Sequence, residues 1–311
     1  MVIREMFRSY VPRVDEVGFG VRVVDGIEVD ESGKIVLKRK TVKMFNGNMV
    51  KPPRACHHEL PVHAKPVPVV DLARLSARMC KQESRVWQDL KRFIDDEAMY
   101  EGFCSTGRKR RTPLALLSDD DVTRLVTCGI ARPIADSSEL VFCSAFSVDE
   151  LDRSRRRAIH HPGQINDGCV MPRVVLPSFD EMKKEFFGDK AKFCFTADST
   201  AWYYQVPLAP SIKRFFAFRN ASGECFVLTR LPMGASFSCA VAHFVSSVIA
   251  RIVTEGLDVQ FFVYIDNFCF YGNSQQELAV ARQRLVHIQS DVNVLFGEIS
   301  HVRRSSRDVA T

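Results

Sequence analysis

Residues 261–272 of this chain read FFVYIDNFCFYG and place one carboxylate, Asp266, within an apolar and aromatic run. Aromatic and β-branched residues favour extended structure, and the pair Asp266-Asn267 tolerates the positive φ angles of a two-residue hairpin turn. We therefore predict a β-hairpin with this pair at its turn. Because both strands are apolar on both faces, we expect the hairpin to be central in a covered sheet.

A second carboxylate follows a run of the same kind. Residues 192–198 read KFCFTAD, which predicts a strand that ends at Asp198. Mg²⁺ is typically held by one or two carboxylates together with substrate phosphates, and paired ions promote phosphoryl transfer. Two aspartates at strand ends therefore indicate a magnesium site. The alternative is that Asp266 only forms a good turn and Asp198 only ends a strand.

The composition narrows the class of protein. The 311 residues are 46% hydrophobic, carry a net charge of +6 and include ten cysteines without a CxxC pair. The positive charge favours an acidic partner, although a solvated basic surface would give the same balance. The cysteine pattern predicts neither a disulfide framework nor a compact zinc site and favours a reducing compartment. Without a signal peptide or a run of about 18 apolar residues, we expect no membrane partner and a location in the cytoplasm or nucleus.

The N-terminal part, residues 1–64, is predicted to be a separate module. Alternating residues 21–37 predict a small β-hairpin. Residues 34–54 carry seven basic and no acidic side chains, which suits either phosphate contacts or a solvated linker. The spacing in CHHELPVH, residues 56–63, disfavours a zinc site. The basic loop GRKRRTP, residues 107–113, is either a nucleic-acid contact, a nuclear import signal or an ordinary surface loop.

Strands and helices alternate irregularly along the rest of the chain. Apolar periodicity and capping residues predict helices over residues 70–100, 118–127, 178–188, the segment from about 238 to 255, and 275–291. Extended segments are predicted over residues 140–148, 157–162 and 192–198, and as two strands within 214–232 joined by a turn at 220–223. We expect the end from residue 301 to be frayed. This order predicts an α+β fold with helices on one face of an antiparallel sheet.

Six stretches within this region resemble, in order and spacing, the fingers and palm of a reverse transcriptase of the kind carried by retrotransposons. They are CGIARPI (128–134), RAIHHPGQIND (157–167), MPRVVLPSFDEMKKEFFG (171–188), CFTADSTAWYYQV (194–206), LPMGASFSCAVAHF (231–244) and YIDN (264–267). The last stretch stands where the family usually has Tyr-x-Asp-Asp. In style, the sequence resembles the tyrosine-recombinase retroelements.

The resemblance implies a right-hand polymerase fold and an activity. Fingers with a helical region would cover residues 65–190 and a palm residues 191–311, with the thumb absent or incomplete. The implied reaction is RNA-directed DNA synthesis, in which dNTPs are joined to the 3′-hydroxyl of a DNA or RNA primer on an RNA template. The chain is then expected to be either a fragment of a longer polyprotein or a degenerate copy.

The resemblance also implies roles for residues of the two aspartate segments. Asp198 and Asp266 would bind Mg²⁺, and the backbone carbonyl of Ser199 is a candidate third ligand. Asn267 replaces the second aspartate of the catalytic pair. This removes one negative charge, so we expect weaker Mg²⁺ binding and a shift towards Mn²⁺, which accepts mixed ligands.

Further residues would contact the substrates. Arg157 would offer a cation to the incoming triphosphate, with Arg155 or Arg156 as a helper, because guanidinium groups suit phosphate. Tyr203 would be the steric gate that excludes a 2′-hydroxyl, unless it is only a core aromatic residue. Gly234 would allow the backbone to approach the nucleotide.

Two further residues, Tyr264 and Met233, would lie by the primer and template.

Two alternative functions stay open. The change at Asn267 and the missing thumb leave open a catalytically inactive nucleic-acid-binding protein derived from such a polymerase. The Asp-Asn pair also leaves open an RNA-directed RNA polymerase, against which Tyr203 argues.

Overall fold

A computed structural model gives two compact units, residues 1–57 and residues 58–311. In the first unit, strands β1 (Glu28–Val29) and β2 (Ile35–Val36) pair antiparallel, as predicted for the N-terminal hairpin. The structure describes residues 28–29, 35–36, 60, 66–108, 116–150, 155–170, 176–178 and 191–304. The basic segment after Val36, most of the segments 56–63 and 107–113, and the helix predicted over 178–188 therefore lie outside the described residues. The domain boundaries at 64 and 190 stay predictions.

The described helices lie mostly where apolar periodicity places them. They are α1 (Leu72–Ser76), α2 (Lys81–Asp95), α3 (Glu97–Thr106), α4 (Asp119–Thr127), α5 (Gly163–Gly168), α6 (Trp202–Gln205), α7 (Ser238–Thr254), α8 (Gln275–Asp291) and a 3-10 helix (Pro210–Phe216). The single helical region predicted over 70–100 is divided into three. Between α2 and α3, Asp96 is extended and its carboxylate accepts a hydrogen bond from the Met99 amide at 3.0 Å, which begins a new helix. Among the described helices, none is both long and apolar enough to cross a bilayer.

The described strands of the second unit form three antiparallel sheets. Their bounds are β3 (Ala131–Pro133), β4 (Ser144–Glu150), β5 (Arg155–His161), β6 (Phe193–Ser199), β7 (Ala217–Arg219), β8 (Cys225–Leu228), β9 (Val259–Tyr264), β10 (Asn267–Gly272), β11 (Phe296–Ile299) and β12 (Arg303–Arg304). The main sheet has the order β11-β6-β10-β9, with β12 also paired to β6; β3-β8-β7 and β4-β5 form the other two. The mixture of helices and antiparallel sheets confirms the α+β class.

Some local predictions are wrong. Residues 214–216, predicted as strand, belong to the 3-10 helix, which begins at a proline suited to a first helical turn. Within the segment 301–311 that was predicted to fray, Arg303 and Arg304 form β12, and Arg303 pairs with Cys194 of β6; residues 305–311 lie outside the described residues. The hairpin is covered on one strand only, because β10 is buried throughout whereas the edge strand β9 exposes Gln260.

Aromatic packing on one face of the main sheet fixes the position of β6 and β10. Phe195 of β6 and Phe270 of β10 are fully buried and stack with ring centroids 4.6 Å apart. Burial of each such ring stabilises the fold by about 1.5–3 kcal/mol. Because successive side chains of a strand alternate between faces, residues an odd number of positions from these rings lie on the opposite face. Asp198 and Asn267, each three positions away, are among them.

Candidate active site

The hairpin turn is one residue earlier than predicted. Tyr264 pairs with Asn267, so the two turn residues are Ile265 and Asp266 rather than Asp266 and Asn267. Asn267 belongs to the strand ladder because it also pairs with Asp198 of β6. Ile265 consequently takes a φ of 58°, which is an unfavourable conformation for a β-branched residue.

Helix α7 holds this strained turn from behind. The buried hydroxyl of Ser246 donates a hydrogen bond to the Ile265 carbonyl. The Ile265 amide faces Nδ1 of His243 at 3.5 Å, and burial lowers the pKa of this histidine, which favours the neutral ring that can accept. Two side chains of one helix therefore fix the residue that precedes Asp266.

Of the two predicted metal ligands, Asp198 lies in β6 and Asp266 in the turn that leads into the adjacent strand β10. Asp198 is directly opposite Asn267 in the β6–β10 ladder, and the amide of Ser199 donates to the carbonyl of Asp266 at 2.9 Å. Residues directly opposite on antiparallel strands have Cβ atoms about 4.5–5.5 Å apart. Nδ2 of Asn267 also donates to Oδ1 of Asp266 at 3.1 Å. Residues distant in sequence thus bring two carboxylates to one end of the sheet.

The donor set fits an ion that takes few protein ligands. Among the described residues, no group of three or more His, Cys, Asp or Glu side chains could hold a metal. Two carboxylates match the way Mg²⁺ is held, with water and substrate phosphates as its other ligands. The hydroxyl of Ser199 is buried without a hydrogen-bond partner in the described part of the chain, and its residue is the last of β6, beside Asp266.

Tyr203 and Tyr264 both lie near the first turn of α7. Tyr203, in α6, is 9% exposed, and its hydroxyl is 3.1 Å from the thiol of Cys239. The pKa of Tyr264 is raised by burial and then by the nearby Cys239 and Asp266. The predicted gate, the predicted primer contact and one predicted metal ligand therefore surround the start of this helix.

The loop that contains Met233 and Gly234 is tied to strand β5. The amide of His160 donates to the Met233 carbonyl at 2.8 Å. Gly234 has a φ of 125°, and a Cβ atom there would be 2.7 Å from the His160 carbonyl oxygen. Glycine is therefore required at this position by the close approach of the His160 backbone, independently of any nucleotide. The side-chain amide of Asn166 adds two hydrogen bonds, to the Gly234 carbonyl and from the Ser236 amide, each of 2.9 Å.

Two of the predicted phosphate-binding arginines have different surroundings. The guanidinium of Arg156 forms a two-pronged pair with the buried carboxylate of Asp121 in α4, at 2.7 and 3.0 Å, and also donates to Ser147 at 3.0 Å. Both terminal nitrogens of its guanidinium therefore bind a carboxylate, whereas the role expected for Arg156 was to help Arg157 bind phosphate. Arg157 is partly exposed, and its charge opposes the rise that burial causes in the pKa of Tyr204. This places Arg157 near α6.

One buried amide at the base of the site was missed in the sequence. Gln205 is fully buried, and its Nε2 donates to the carbonyls of Thr200 and Leu295 at 2.7 and 2.8 Å. Its Oε1 accepts from the Leu295 amide at 2.7 Å. The side chain thus joins the turn after Asp198 to the approach of β11. The sequence signal was a single amide that follows the apolar residues AWYY.

Comparisons with known proteins find similarity to solved structures but not to family models or curated sequences. No protein-family model matches the chain, and no curated protein matches its sequence. Among solved structures, the chain is similar to a foamy viral protease-reverse transcriptase, whose structure is in complex with double-stranded DNA. The TM-score is 0.49 and the identity 14%, over 76% of this chain and 44% of that chain. This chain therefore spans less than half of that protein's length.

Proposed function

We propose that this chain carries the nucleotidyl-transfer centre of an RNA-directed DNA polymerase. The observation that supports this best is the adjacency of Asp198 and Asp266, joined through the hydrogen bond from the Ser199 amide to the Asp266 carbonyl. Two carboxylates at one end of a sheet are suited to divalent ions and phosphates. The ordered resemblance of six sequence stretches to reverse transcriptases supports the same function.

In this proposal, Asp198 and Asp266 would hold Mg²⁺ or Mn²⁺, and the backbone carbonyl of Ser199 would be a further ligand. The ions supply positive charge that favours ionisation of the attacking hydroxyl and balances charge on the phosphates. The primer 3′-oxygen would form a bond to the α-phosphorus of a dNTP and release its proton to solvent water. The bond from that phosphorus to the bridging oxygen breaks, and pyrophosphate leaves with the bonding electrons.

Other residues would orient the substrates in the proposed reaction. Tyr203 would fill the space next to the 2′ position of the sugar, so that deoxynucleotides fit better than ribonucleotides. Arg157 would contact the triphosphate, because its side chain is partly exposed near α6. Tyr264 and Met233 would contact the primer and template. Arg156, which is paired with Asp121, would instead support β5 beneath the triphosphate contact.

Primer extension tests this function directly. The chain of 311 residues is incubated with an RNA template, a DNA primer, dNTPs and either Mg²⁺ or Mn²⁺. We expect extension by the unmodified chain and a loss of more than about 100-fold in Asp198→Asn and Asp266→Asn, the order found for electrostatic catalytic groups. Asp258→Asn is the matched control, since Asp258 is exposed next to the other end of β9. Equal activity in Asp198→Asn and the unmodified chain would reject the proposal.

A second candidate function is nucleic-acid binding without catalysis. The hydrogen bond from Asn267 to Asp266 favours it, because a neutral amide donor then satisfies the carboxylate without an ion. In that case the protein binds template-primer with the same affinity in the presence of EDTA and in the double variant Asp198→Asn, Asp266→Asn, and extends no primer. Incorporation of ribonucleotides in preference to dNTPs would indicate an RNA-directed RNA polymerase instead.

A further inference from the structure

Three cationic side chains come together around strand β8, outside the residues assigned to the proposed reaction. Arg132 is in β3, where it pairs with Val227 of β8. Arg230 follows the end of β8, and Lys213 belongs to the 3-10 helix that packs against the same strand. Three separate elements thus each contribute one cation, and we call this set the β8 cation cluster.

Backbone contacts hold these elements together. Nε of Arg230 donates to the Gly129 carbonyl at 3.2 Å and its Nη2 to the Val67 carbonyl at 3.4 Å, which fixes its guanidinium beside the turn that leads into β3. The amide of Leu208 donates to the Thr229 carbonyl at 3.0 Å, which brings the segment before the 3-10 helix alongside. The positions of the three cations therefore follow from the fold rather than from flexible surface loops.

The charges of the cluster are not balanced by nearby acids within the described residues. The pKa of Lys213 is lowered, first by burial and then by the charges of Arg132 and Arg230. Neighbouring Arg214 pairs with Glu97 and Glu101, whereas no ion pair in the described part of the chain involves a member of the cluster. Like charges held together without a counter-ion repel each other, so a bound anion would stabilise the arrangement.

We propose that the β8 cation cluster binds phosphates of a single-stranded nucleic-acid backbone. Cations on three elements can meet successive phosphates of one strand, and the release of the counter-ions condensed on that strand favours binding. The choice of nucleic acid as the polyanion rests on the proposed function. The cluster itself contains none of the residues assigned to catalysis, so its binding is measured without any reaction.

The test compares two variants with the same loss of charge. In Arg132→Gln, Lys213→Gln the cluster loses two cations, while Arg230 keeps its contacts to the backbone. In the control Arg74→Gln, Arg78→Gln the chain loses two arginines that are already paired with Asp291. Binding of a fluorescent single-stranded RNA is measured over a series of salt concentrations, and thermal unfolding verifies that each variant is folded.

We expect the cluster variant to bind RNA more weakly and to reduce the slope of log K against log salt by about 1.4, since each neutralised phosphate contributes about 0.7 for single strands. The control should keep the slope of the unmodified chain. Equal slopes in the folded cluster variant and the control would overturn the proposal. The proposal would also be overturned if tripolyphosphate competed as effectively as RNA per phosphate group, because the site would then bind isolated phosphates rather than a nucleic-acid strand.

The two proposals can fail separately. If the unmodified chain extends no primer but shows the expected salt slopes, the polymerase function fails and the cluster stands. If the unmodified chain extends primers but the slopes of cluster variant and control are equal, the cluster fails and the polymerase function stands.

Discussion

The thiol of Cys239 lies 3.1 Å from the hydroxyl of Tyr203. This contact joins the first turn of α7 to the short helix α6, two segments that are 36 residues apart in sequence. Cys239 is exposed, whereas the Tyr203 ring is nearly buried. The thiol therefore fixes the outer end of the ring that would exclude ribonucleotides.

This contact predicts an effect on sugar selectivity. In Cys239→Ala, the ratio of kcat/KM for a dNTP to that for the matching ribonucleotide should fall by about 2- to 10-fold, which corresponds to one hydrogen bond of about 0.5–1.5 kcal/mol. Tyr203→Phe should cause a similar loss, and the two effects should not add in the double variant, because both remove the same bond. Cys239→Ser should restore the ratio.

The exposed thiol of Cys80 provides the control for this measurement. Cys80→Ala should leave the selectivity ratio unchanged. Additive effects of Cys239→Ala and Tyr203→Phe would show that the thiol does not act through the tyrosine.

Asn267→Asp should tighten divalent-ion binding. The substitution places a second acid beside Asp266 and directly opposite Asp198, where like charges repel each other without an ion and are balanced by one. We expect a lower Tm than the unmodified chain in EDTA and a larger rise in Tm on adding Mg²⁺. Each tenfold gain in affinity adds about 1.4 kcal/mol at saturating ion.

Gln260→Glu adds the same charge on the exposed edge of β9 and should show no such gain. The explanation would be wrong if Mg²⁺ raised the Tm of Asn267→Asp no more than that of Gln260→Glu.

Ser246→Ala should loosen the turn that contains Asp266. Loss of the hydroxyl leaves the buried carbonyl of Ile265 without this donor, which lowers the free energy of unfolding by about 1–3 kcal/mol. Because Ile265 precedes Asp266, kcat for primer extension should fall while KM for the dNTP changes little. Chemical denaturation and steady-state kinetics measure the two effects.

Ser247→Ala is the matched control, since the Ser247 hydroxyl donates within its own helix to the His243 carbonyl. A fall in kcat of the same size in Ser247→Ala would contradict a specific role of Ser246 in holding the turn.

His160 should make the fold sensitive to acid. Burial lowers the pKa of His160 to about 3, and neither ring nitrogen has a hydrogen-bond partner among the described residues. Below the unfolded pKa of about 6.5, the unfolded chain binds a proton that the folded chain does not. Stability from this group is therefore present above pH 6.5 and is lost as the pH falls towards 3, by about 2 kcal/mol between pH 7 and 5.

The variant His160→Phe should remove this pH dependence. Its ring would replace the imidazole against Phe218, whose centroid is 4.6 Å away, and would leave no unsatisfied nitrogen. Guanidinium unfolding at pH 7 and pH 5 measures the difference, with the exposed His287→Gln as control. The same loss of stability at pH 5 in His160→Phe and in the unmodified chain would assign the acid sensitivity to other groups.

Much of the local structure could be predicted from the sequence. Helix α4 was expected from its periodicity and begins after Ser118, whose hydroxyl accepts from the Asp121 amide. Helix α8 has the predicted bounds, 275 and 291. The strand that leads to Asp198 was visible in an apolar run with an acid at its end. In each case the signal is contained in residues that are neighbours along the chain.

The sequence by itself therefore determined the two carboxylates and the elements that carry them. Tertiary structure decided the turn, because pairing of Asn267 with Asp198 outweighs the local preference of Asp-Asn for a turn and leaves Ile265 at positive φ. It also decided that Arg156 faces the carboxylate of Asp121. Such partners are far apart in sequence, and no local pattern predicts which distant group will form hydrogen bonds with a given side chain.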